Sequence, residues 1–404
     1  MGFFLFLPVI LIAAHYYIAR RWYTALRGKF PRLRRWHLVA GLMTPAVLMM
    51  LGFARSMLPL PSWLKQGLGY LFAYWMGVFI YLLLFTLLAE LVLLVARLCK
   101  AQRYAIIRLV SLAVAVVLAL TTSVYGFVHA CRIQTTRYTV ALDSAADLSD
   151  LKLVLVSDLH LGAVGSESRL ETIIEEINRQ NPDVVCIAGD FFDSDFAAIN
   201  DPQRVAALWK SVKSTYGVYA CPGNHDAGET APQMAGFWAQ CGITLLNEAY
   251  TVIDNRLVLG GRADASPIGR SEGKERGEIS AISLPANLPV VMMDHNPAHI
   301  DEYHGTADLI LSGHTHQGQV FPAMLVTDAL YEVDYGYHRR ENGLQVIVTS
   351  GAGSWGMPMR VGTDMKLCAL SLPKKSTGPL GSVLFCIVTF FRRPPPRRRV
   401  RLVV

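Results

Sequence analysis

Long apolar runs dominate the first third of the chain. Four of them cover residues Phe3 to Ala19, Leu38 to Ala54, Leu68 to Ala96 and Ile106 to Val128. As α-helices, they are each long enough, or nearly long enough, to cross a hydrocarbon core of about 30 Å. The pattern therefore predicts an α-helical bundle of about four transmembrane spans over residues 1–130. The first run is the weakest of these because it is short and ends at two arginines.

From residue 148 onward, short apolar runs alternate with amphipathic stretches. Residues 169–180 and 205–212 have apolar residues at helical spacing, and each stretch precedes a run typical of a buried strand. Later runs are mostly strand-like, at residues 257–260, 290–293, 309–311, 344–349 and 367–372. This order predicts an α/β domain over residues 148–372. Residues 261–280 contain four glycines and mixed charges, which indicates a loop.

Two further segments complete the predicted organisation. Residues 131–147 form a linker, and residues 373–404 form a basic, Pro-rich tail. The apolar run from Gly381 to Phe391 in the tail is too short to span a bilayer. Because arginines follow it, this run is either an interfacial anchor with a polybasic stretch or part of a solvated tail.

Charged residues divide the chain into three parts. Residues 1–147 contain 15 Lys and Arg against 3 Asp and Glu, residues 148–372 contain 15 against 28, and residues 373–404 contain 8 against none. The net charge of +7 and the pI near 9 therefore come from the two ends of the chain. A basic pI of this origin is no argument for nucleic acid, and we expect no nucleic-acid partner.

The basic residues of the predicted loops indicate the orientation in the membrane. Seven Lys and Arg follow the first span and four follow the third, whereas only Arg55 and Lys65 follow the second. The positive-inside rule then places the first and third loops in the cytoplasm. We predict a multi-pass protein of the cell (inner) membrane whose acidic domain is extracytoplasmic. The same orientation follows if the first run only lies on the membrane surface.

Two features of the sequence leave alternatives open. Glu90 in the third apolar run is either a functional carboxylate inside the membrane or an interfacial one near Arg97. Cys221 and Cys241 form either a disulfide or, like small apolar residues, two buried thiols.

Five short clusters of the α/β domain carry metal-binding side chains. They are Ser157-Asp158-Leu159-His160, Gly189-Asp190, Gly223-Asn224-His225-Asp226, Asp294-His295-Asn296-Pro297 and Gly313-His314-Thr315-His316. Three clusters follow a predicted buried strand, so their side chains are expected where strands end and loops converge. Carboxylate and amide oxygens together with imidazole nitrogens suit Mn, Fe or Zn. A carboxylate between two such ions can bridge them at roughly 3.5–4 Å, and Asp190 is the natural bridge.

The order of these motifs closely resembles the calcineurin-like metallophosphoesterase superfamily, and in particular its membrane-tethered bacterial members. The resemblance covers about residues 148–372 and implies a two-sheet sandwich flanked by helices, two divalent metal ions (Mn, Fe or Zn) and phosphoester hydrolysis. It assigns Asp158, His160, Asp190 and His316 to one metal, and Asp190, Asn224, His295 and His314 to the other.

His225 is free of metal in this assignment, which makes it a candidate catalytic residue. Such a histidine can protonate the leaving oxygen or hold the transferred phosphoryl group while the metals generate hydroxide. Asp193 matches the position that orients this histidine in related enzymes, and Asp226 is the competing orienter.

Two loops differ in how well they match the family. Membrane-tethered members usually have two glycines after the last histidine of Gly-His-Thr-His, whereas here Gln317 takes the first of these positions. Residues 351–360 resemble the substrate-facing loop of the family. There Arg360 is either a substrate-binding residue for a phosphate oxygen or a partner in a structural ion pair. Trp355 either packs against an apolar or base moiety of the substrate or is a core aromatic.

Together, these features predict a membrane-anchored dinuclear-metal phosphoesterase that acts on a phosphomonoester or phosphodiester. The lipid bilayer is an expected partner, and a lipid-linked or cell-envelope substrate suits the tether. One alternative is a pyrophosphatase for a nucleotide-sugar lipid precursor, which requires a site facing the cytoplasm. Another is a non-catalytic membrane scaffold or transport protein with a metal-binding domain, against which the intact ligand set with His225 argues.

Overall fold

The structure, a computed structural model, describes residues 2–55, 58–142, 147–148 and 151–373. The predicted tail beyond Pro373, with its apolar run 381–391, lies outside the described residues.

Four long helices form the N-terminal region: α1 (Gly2–Leu26), α2 (Arg35–Phe53), α3 (Ser62–Leu98) and α4 (Tyr104–His129). Within the described residues, three candidate spans are long and apolar enough to cross a membrane, one each in α2, α3 and α4. The prediction of about four spans is corrected to three. Arg20 and Arg21 lie inside α1 rather than after it, so its apolar part is short.

The N-terminal helices pack around a shared apolar core. Ile18 from α1, Phe79 and Tyr81 from α3, and Ala119 from α4 are buried together. Glu90, which the sequence left open, forms an ion pair with Arg21 of α1. The carboxylate is therefore paired within the bundle.

Two six-stranded sheets form the C-terminal domain. The first has the order β1 (Ile133–Thr139), β12 (Met365–Leu372), β2 (Leu151–Val156), β3 (Val184–Ala188), β4 (Val218–Cys221) and β5 (Ile243–Leu245). The second has the order β10 (Gly336–Arg339), β11 (Gln345–Val348), β9 (Leu309–Ser312), β8 (Val290–Met293), β7 (Leu257–Gly261) and β6 (Ala249–Ile253). Both sheets mix parallel and antiparallel pairs.

The two sheets pack face to face, and helices cover the first sheet. Leu155 of β2 and Leu311 of β9 belong to one buried cluster between the sheets. The remaining α-helices are α5 (Ser166–Arg179), α6 (Pro202–Lys210), α7 (Ala231–Gln240) and α8 (Met324–Leu330), with 3₁₀ turns at Phe196–Ala198, Ile279–Ala281, Pro297–Tyr303 and His316–Gly318. Residues of α5, α6 and α7 pack on the outer face of the first sheet. The predicted sandwich flanked by helices is confirmed, and Cys221 and Cys241 are free buried thiols.

The segment predicted as a linker contains a strand. β1 pairs in parallel with β12, with Ile133 opposite Met365. The segment enters the sheet four residues after α4 ends at His129. Its partner strand lies more than 220 residues further along the sequence. The connection between α4 and the first sheet is therefore short, and the strand that follows it is hydrogen-bonded to β12.

Candidate metal centre

The candidate metal ligands lie at one end of the sandwich, on the loops that leave the central strands. Asp158 follows β2, Asp190 follows β3, and His314 follows β9. Five of the candidates have a left-handed backbone, with φ of 55° at Asp158, 47° at His160, 51° at Asp190, 69° at His314 and 49° at His316. Residues with a side chain adopt this conformation at a cost, and such strain concentrates at functional sites.

The motif glycines make room for these ligands. A Cβ on Gly189 would lie 2.6 Å from Nδ1 of His295, and a Cβ on Gly223 would overlap the carboxylate of Asp190. Both backbones approach a ligand too closely for any other residue type. Gln317 has a side chain and yet has φ 53°, so it is held in a conformation that glycine favours.

The first group of ligands is Asp158, His160, Asp190 and His316. The Nε2 atoms of His160 and His316 are 3.1 Å apart, and Oδ1 of Asp158 is 3.4 Å from Nε2 of His316. Oδ2 of Asp190 lies 3.7 Å from Nε2 of His160. The structure therefore brings all four predicted ligands of this set together.

The second group is Asp190, Asn224, His295 and His314. Nε2 of His295 lies 3.2 Å from Oδ2 of Asp190 and 3.2 Å from Oδ1 of Asn224. Nδ1 of His314 lies 2.8 Å from the same asparagine oxygen. Asp190 thus faces both groups through one carboxylate oxygen, the arrangement that a bridging ligand requires.

The donor atoms of both groups fit divalent cations. Asp158, His160 and His316 present ligand atoms within 4.8 Å of one another, as do Asp158, Asp190 and His295. Nδ1 of His295 lies 2.8 Å from the carbonyl oxygen of Ala188, which leaves Nε2 free to face the centre. Metal-binding histidines are commonly oriented by such a hydrogen bond.

The electrostatics favour the unprotonated form at three of the six titratable ligands, His314, His316 and Asp190. At the other three the pKa is raised: by burial at Asp158, and by neighbouring carboxylates at His160 and His295, where burial alone would lower it. Burial, with further repulsion from His295, lowers the pKa of His314 to about 3, and burial beside His160 holds the pKa of His316 well below its usual value. Burial alone would raise the pKa of Asp190, but the neighbouring His295 holds it well below its usual value. Neutral imidazoles and ionised carboxylates are the forms that bind metal.

His225 lies next to the two groups. Its backbone N–H donates to Oδ1 of Asp190 at 2.8 Å, and its ring centroid is 5.0 Å from that of His160. Its Nδ1 is 3.9 Å from Oδ1 of Asp193, which itself is 3.2 Å from Nδ1 of His160. Asp193 is therefore placed between the two histidines. Burial lowers the pKa of His225.

The sequence offered no signal for the hydrogen-bond partner of His225. The hydroxyl of Ser194 lies 2.7 Å from Nδ1 of His225. The alternative orienter, Asp226, accepts the backbone N–H groups of Phe192 and Gly223, each at 2.8 Å, and so shapes the loop instead. Burial raises the pKa of Asp226 to about 7.

Arg360, predicted as either a substrate-binding residue or a partner in a structural ion pair, contacts backbone carbonyl oxygens. Its side chain is fully buried, and its guanidinium donates to the carbonyl oxygens of His316 (3.0 Å), Ser350 (2.7 Å) and Gly353 (2.6 Å). These three bonds engage both terminal nitrogens of the guanidinium with backbone carbonyl oxygens. In this position Arg360 holds the backbone that carries His316, and its substrate-binding role stays a prediction. Trp355, in contrast, is 55% exposed, with its ring 6.1 Å from that of His225.

The sequence comparisons relate this chain to metallophosphoesterases. Residues 151–318 match the family model described as calcineurin-like phosphoesterase. An uncharacterized metallophosphoesterase of Helicobacter pylori is 28% identical over 237 residues, which cover 56% of this chain and 61% of the relative. A Danio rerio protein described as a transmembrane protein with metallophosphoesterase domain is 28% identical over 273 residues, or 64% of this chain and 62% of the relative.

A solved structure, TT1561 of Thermus thermophilus, aligns over 50% of this chain and 91% of its own length. The identity is 13% and the TM-score is 0.34. The chain spans about 60% of the length of the Helicobacter pylori and Danio rerio relatives.

Proposed function

We propose that the chain, whose residues 151–318 match the calcineurin-like phosphoesterase model, is a membrane-anchored hydrolase that uses two divalent metal ions to cleave a phosphomonoester or phosphodiester. The observation that carries the proposal is the convergence of seven candidate ligands, with Asp190 between the two groups and His225 beside them. We assign Asp158, His160, Asp190 and His316 to one ion, and Asp190, Asn224, His295 and His314 to the other. Mn, Fe or Zn suits this mixture of oxygen and nitrogen donors.

Bound divalent ions polarise a phosphoryl oxygen and lower the pKa of water, which is the chemistry that phosphoester hydrolysis needs. The residues of the chain have the remaining tasks. His225 contacts the substrate, either to protonate the leaving oxygen or to hold the phosphoryl group. Asp193 and Ser194 orient the His225 ring, because Oδ1 of Asp193 lies 3.9 Å and the hydroxyl of Ser194 lies 2.7 Å from its Nδ1.

The proposed organisation follows the charge pattern. α2, α3 and α4 anchor the chain in the cell (inner) membrane, and residues 148–372 act as the catalytic domain on its extracytoplasmic side. β1 extends this domain toward the membrane helices. A substrate linked to a lipid or to the cell envelope suits such a tether.

The test is an assay of the purified full-length protein. p-Nitrophenyl phosphate and its bis ester distinguish a monoesterase from a diesterase, with Mn added and then removed by a chelator. We expect turnover of at least one ester that is lost on chelation and restored by metal. Metal binding without turnover of either ester would favour the scaffold alternative.

A further inference from the structure

An exposed apolar surface lies close to the metal centre. α8 exposes Leu325 (57%), Val326 (57%) and Leu330 (71%), and Phe321 just before it is 45% exposed. We call these four residues the α8 face. A contiguous apolar patch of this kind marks an interaction site when it lies on the surface of a domain.

The α8 face is continuous with the membrane helices. The hydroxyl of Tyr81 on α3 donates to the carbonyl oxygen of Phe321 at 2.8 Å. Val320, the preceding residue, is buried in one cluster with Phe79 of α3 and Ala119 of α4. The segment that leads into α8 is therefore packed directly on the bundle that crosses the bilayer.

The position of Tyr81 along α3 gives the depth of this contact. Tyr81 precedes Leu98 by 17 residues, which at about 1.5 Å per residue corresponds to about 26 Å. Arg97 and Lys100 mark the opposite membrane boundary, and the hydrocarbon core is about 30 Å thick. Leu87 and Leu91, in between, are exposed as lipid-facing residues would be. Tyr81, and with it Phe321, thus lies near the boundary on the side of the catalytic domain.

The same loops form the rim of the metal centre. The side-chain amide of Gln319 donates to the carbonyl oxygens of Trp355 and Met357, both at 3.0 Å. In return, the backbone N–H of Trp355 donates to Gln319 Oε1 at 2.9 Å. The loop that carries His316 is thereby joined to the loop that carries the exposed Trp355 beside His225.

We propose that the α8 face inserts into the boundary between headgroups and acyl chains of the same bilayer that holds α2, α3 and α4. The metal centre then opens at the membrane surface. Its substrate class is an amphiphile whose phosphoester group lies at headgroup level, a statement that rests on the proposed function. Asp328, the one charged residue of α8, is exposed and lies among the headgroups.

A second copy of the chain is the weaker occupant of this surface. Four apolar side chains, even fully exposed, present less area than the ~800 Å² per partner that a standard interface buries. The bilayer needs no such area because the spanning helices already hold the domain against it.

Depth-dependent quenching tests the insertion without any enzyme assay. The background variant has serine in place of Cys99, Cys131 and Cys386. An environment-sensitive fluorophore is attached to one introduced cysteine at a time: Leu325→Cys, Leu330→Cys or, as a control on the second sheet, Val252→Cys. The full-length protein is placed in phosphatidylcholine nanodiscs with or without spin-labelled lipid. We expect several-fold stronger quenching by the lipid label at 325 and 330 than at 252, and the reverse order with aqueous iodide.

Equal iodide quenching at all three positions without lipid quenching would overturn the insertion. Protection from iodide without lipid quenching would also overturn it and would indicate a protein partner. Correct folding of each variant is checked by its gel-filtration profile and metal content.

A second measurement tests the substrate class. The ratio of phosphatidic acid turnover in nanodiscs to p-nitrophenyl phosphate turnover should fall several-fold in the Leu325→Ser, Leu330→Ser double variant. The ratio should not change in Val252→Ser. An unchanged ratio in the double variant, or no turnover of phosphatidic acid by an active wild-type protein, would reject the substrate class. If the wild-type protein turns over neither phosphatidic acid nor p-nitrophenyl phosphate, the proposed function is rejected. The quenching result would still test the membrane insertion independently.

Discussion

At the scale of single residues, the centre is organised around Asp190. One carboxylate oxygen faces His160 and His295, and the other accepts the backbone N–H of His225. A single side chain therefore links both proposed metal positions to the proposed catalytic histidine. Changes at this residue and at its neighbours should separate metal binding from catalysis.

Asp190→Asn should lose bound metal and phosphoesterase activity together, because the substitution weakens one ligand of both ions. The strands should still form, since Asp190 follows β3 rather than lying in it. Elemental analysis of the purified variant measures the metal, and circular dichroism checks the fold. Asp254→Asn, an exposed carboxylate on the β6–β7 turn, is the control. Two ions retained per chain in the Asp190 variant would contradict the bridging assignment.

His225→Ala should keep both metals and slow turnover by about 10²–10⁴-fold, the usual effect of losing a general acid. The loss should be smaller for a p-nitrophenyl ester than for an alkyl ester, because a good leaving group needs little protonation. Steady-state rates on both esters measure this difference. Equal losses would point to phosphate binding as the role of His225.

Arg360→Met should weaken metal binding by about 10–100-fold, as loss of a supporting contact to a ligand does. The reason is that the guanidinium fixes the carbonyl oxygens around His316. Metal titration followed by activity assays at saturating metal gives the affinity and the KM. Arg339→Met, at the one exposed residue of β10, is the matched control. A raised KM with unchanged metal affinity would support Arg360 as a phosphate-binding residue.

At the scale of elements, α4 and the 355–361 loop form one contact between the membrane helices and the C-terminal domain. The backbone N–H of Arg360 donates to the carbonyl oxygen of Gly126 at 3.0 Å. Met359 beside it is fully buried against the helices. Glycine at position 126 permits this approach because it has no Cβ.

Gly126→Ala should therefore destabilise the protein. The new Cβ would overlap Met359 and lie 2.7 Å from Cγ2 of Val361. Overpacking of this kind costs about 1–3 kcal/mol, which exceeds the ~1 kcal/mol that alanine gains over glycine in a helix. Thermal unfolding in detergent measures the difference. Gly41→Ala on α2, where no atom lies within 4 Å, should be neutral or stabilising, and equal effects at both sites would refute the close contact.

At the scale of the whole molecule, the three candidate spans and the loop charges predict the side of the membrane on which the candidate metal centre lies. The loops that follow α1 and α3 are the basic ones, so the carboxyl end of α4 and the domain beyond it should be extracytoplasmic. This orientation decides which phosphoesters can reach the site.

Alkaline phosphatase fused after Arg132, between α4 and β1, should be active in a bacterial host, whereas a fluorescent-protein fusion there should be dark. Neutral replacement of the seven basic residues between Arg20 and Arg35 should weaken this preference. The opposite reporter pattern would place the domain in the cytoplasm and bring the nucleotide-sugar lipid alternative forward.

Local patterns in the sequence predicted the membrane region and an α/β domain, and the resemblance carried by the motifs predicted the sandwich fold. Long apolar runs predict membrane-crossing helices because a helix needs about 20 apolar residues to span the hydrocarbon core. Motif glycines beside Asp and His predict loops that are too crowded for a side chain. Residues 148–372 were predicted as two sheets with helices, and the described structure has that architecture.

Only the tertiary structure decided the features that depend on contacts between distant parts of the chain. Nothing near Ile133 in the sequence reveals that it pairs with Met365, and nothing near Ser194 reveals that it contacts His225. An arginine in a loop can bind a phosphate or backbone carbonyls, and only the tertiary structure shows that Arg360 contacts the carbonyl oxygen of His316. The sequence likewise does not show that α8 lies beside the membrane helices. The hydrogen bond between Tyr81 and Phe321 shows this, and it is what makes the apolar residues of α8 a candidate membrane contact.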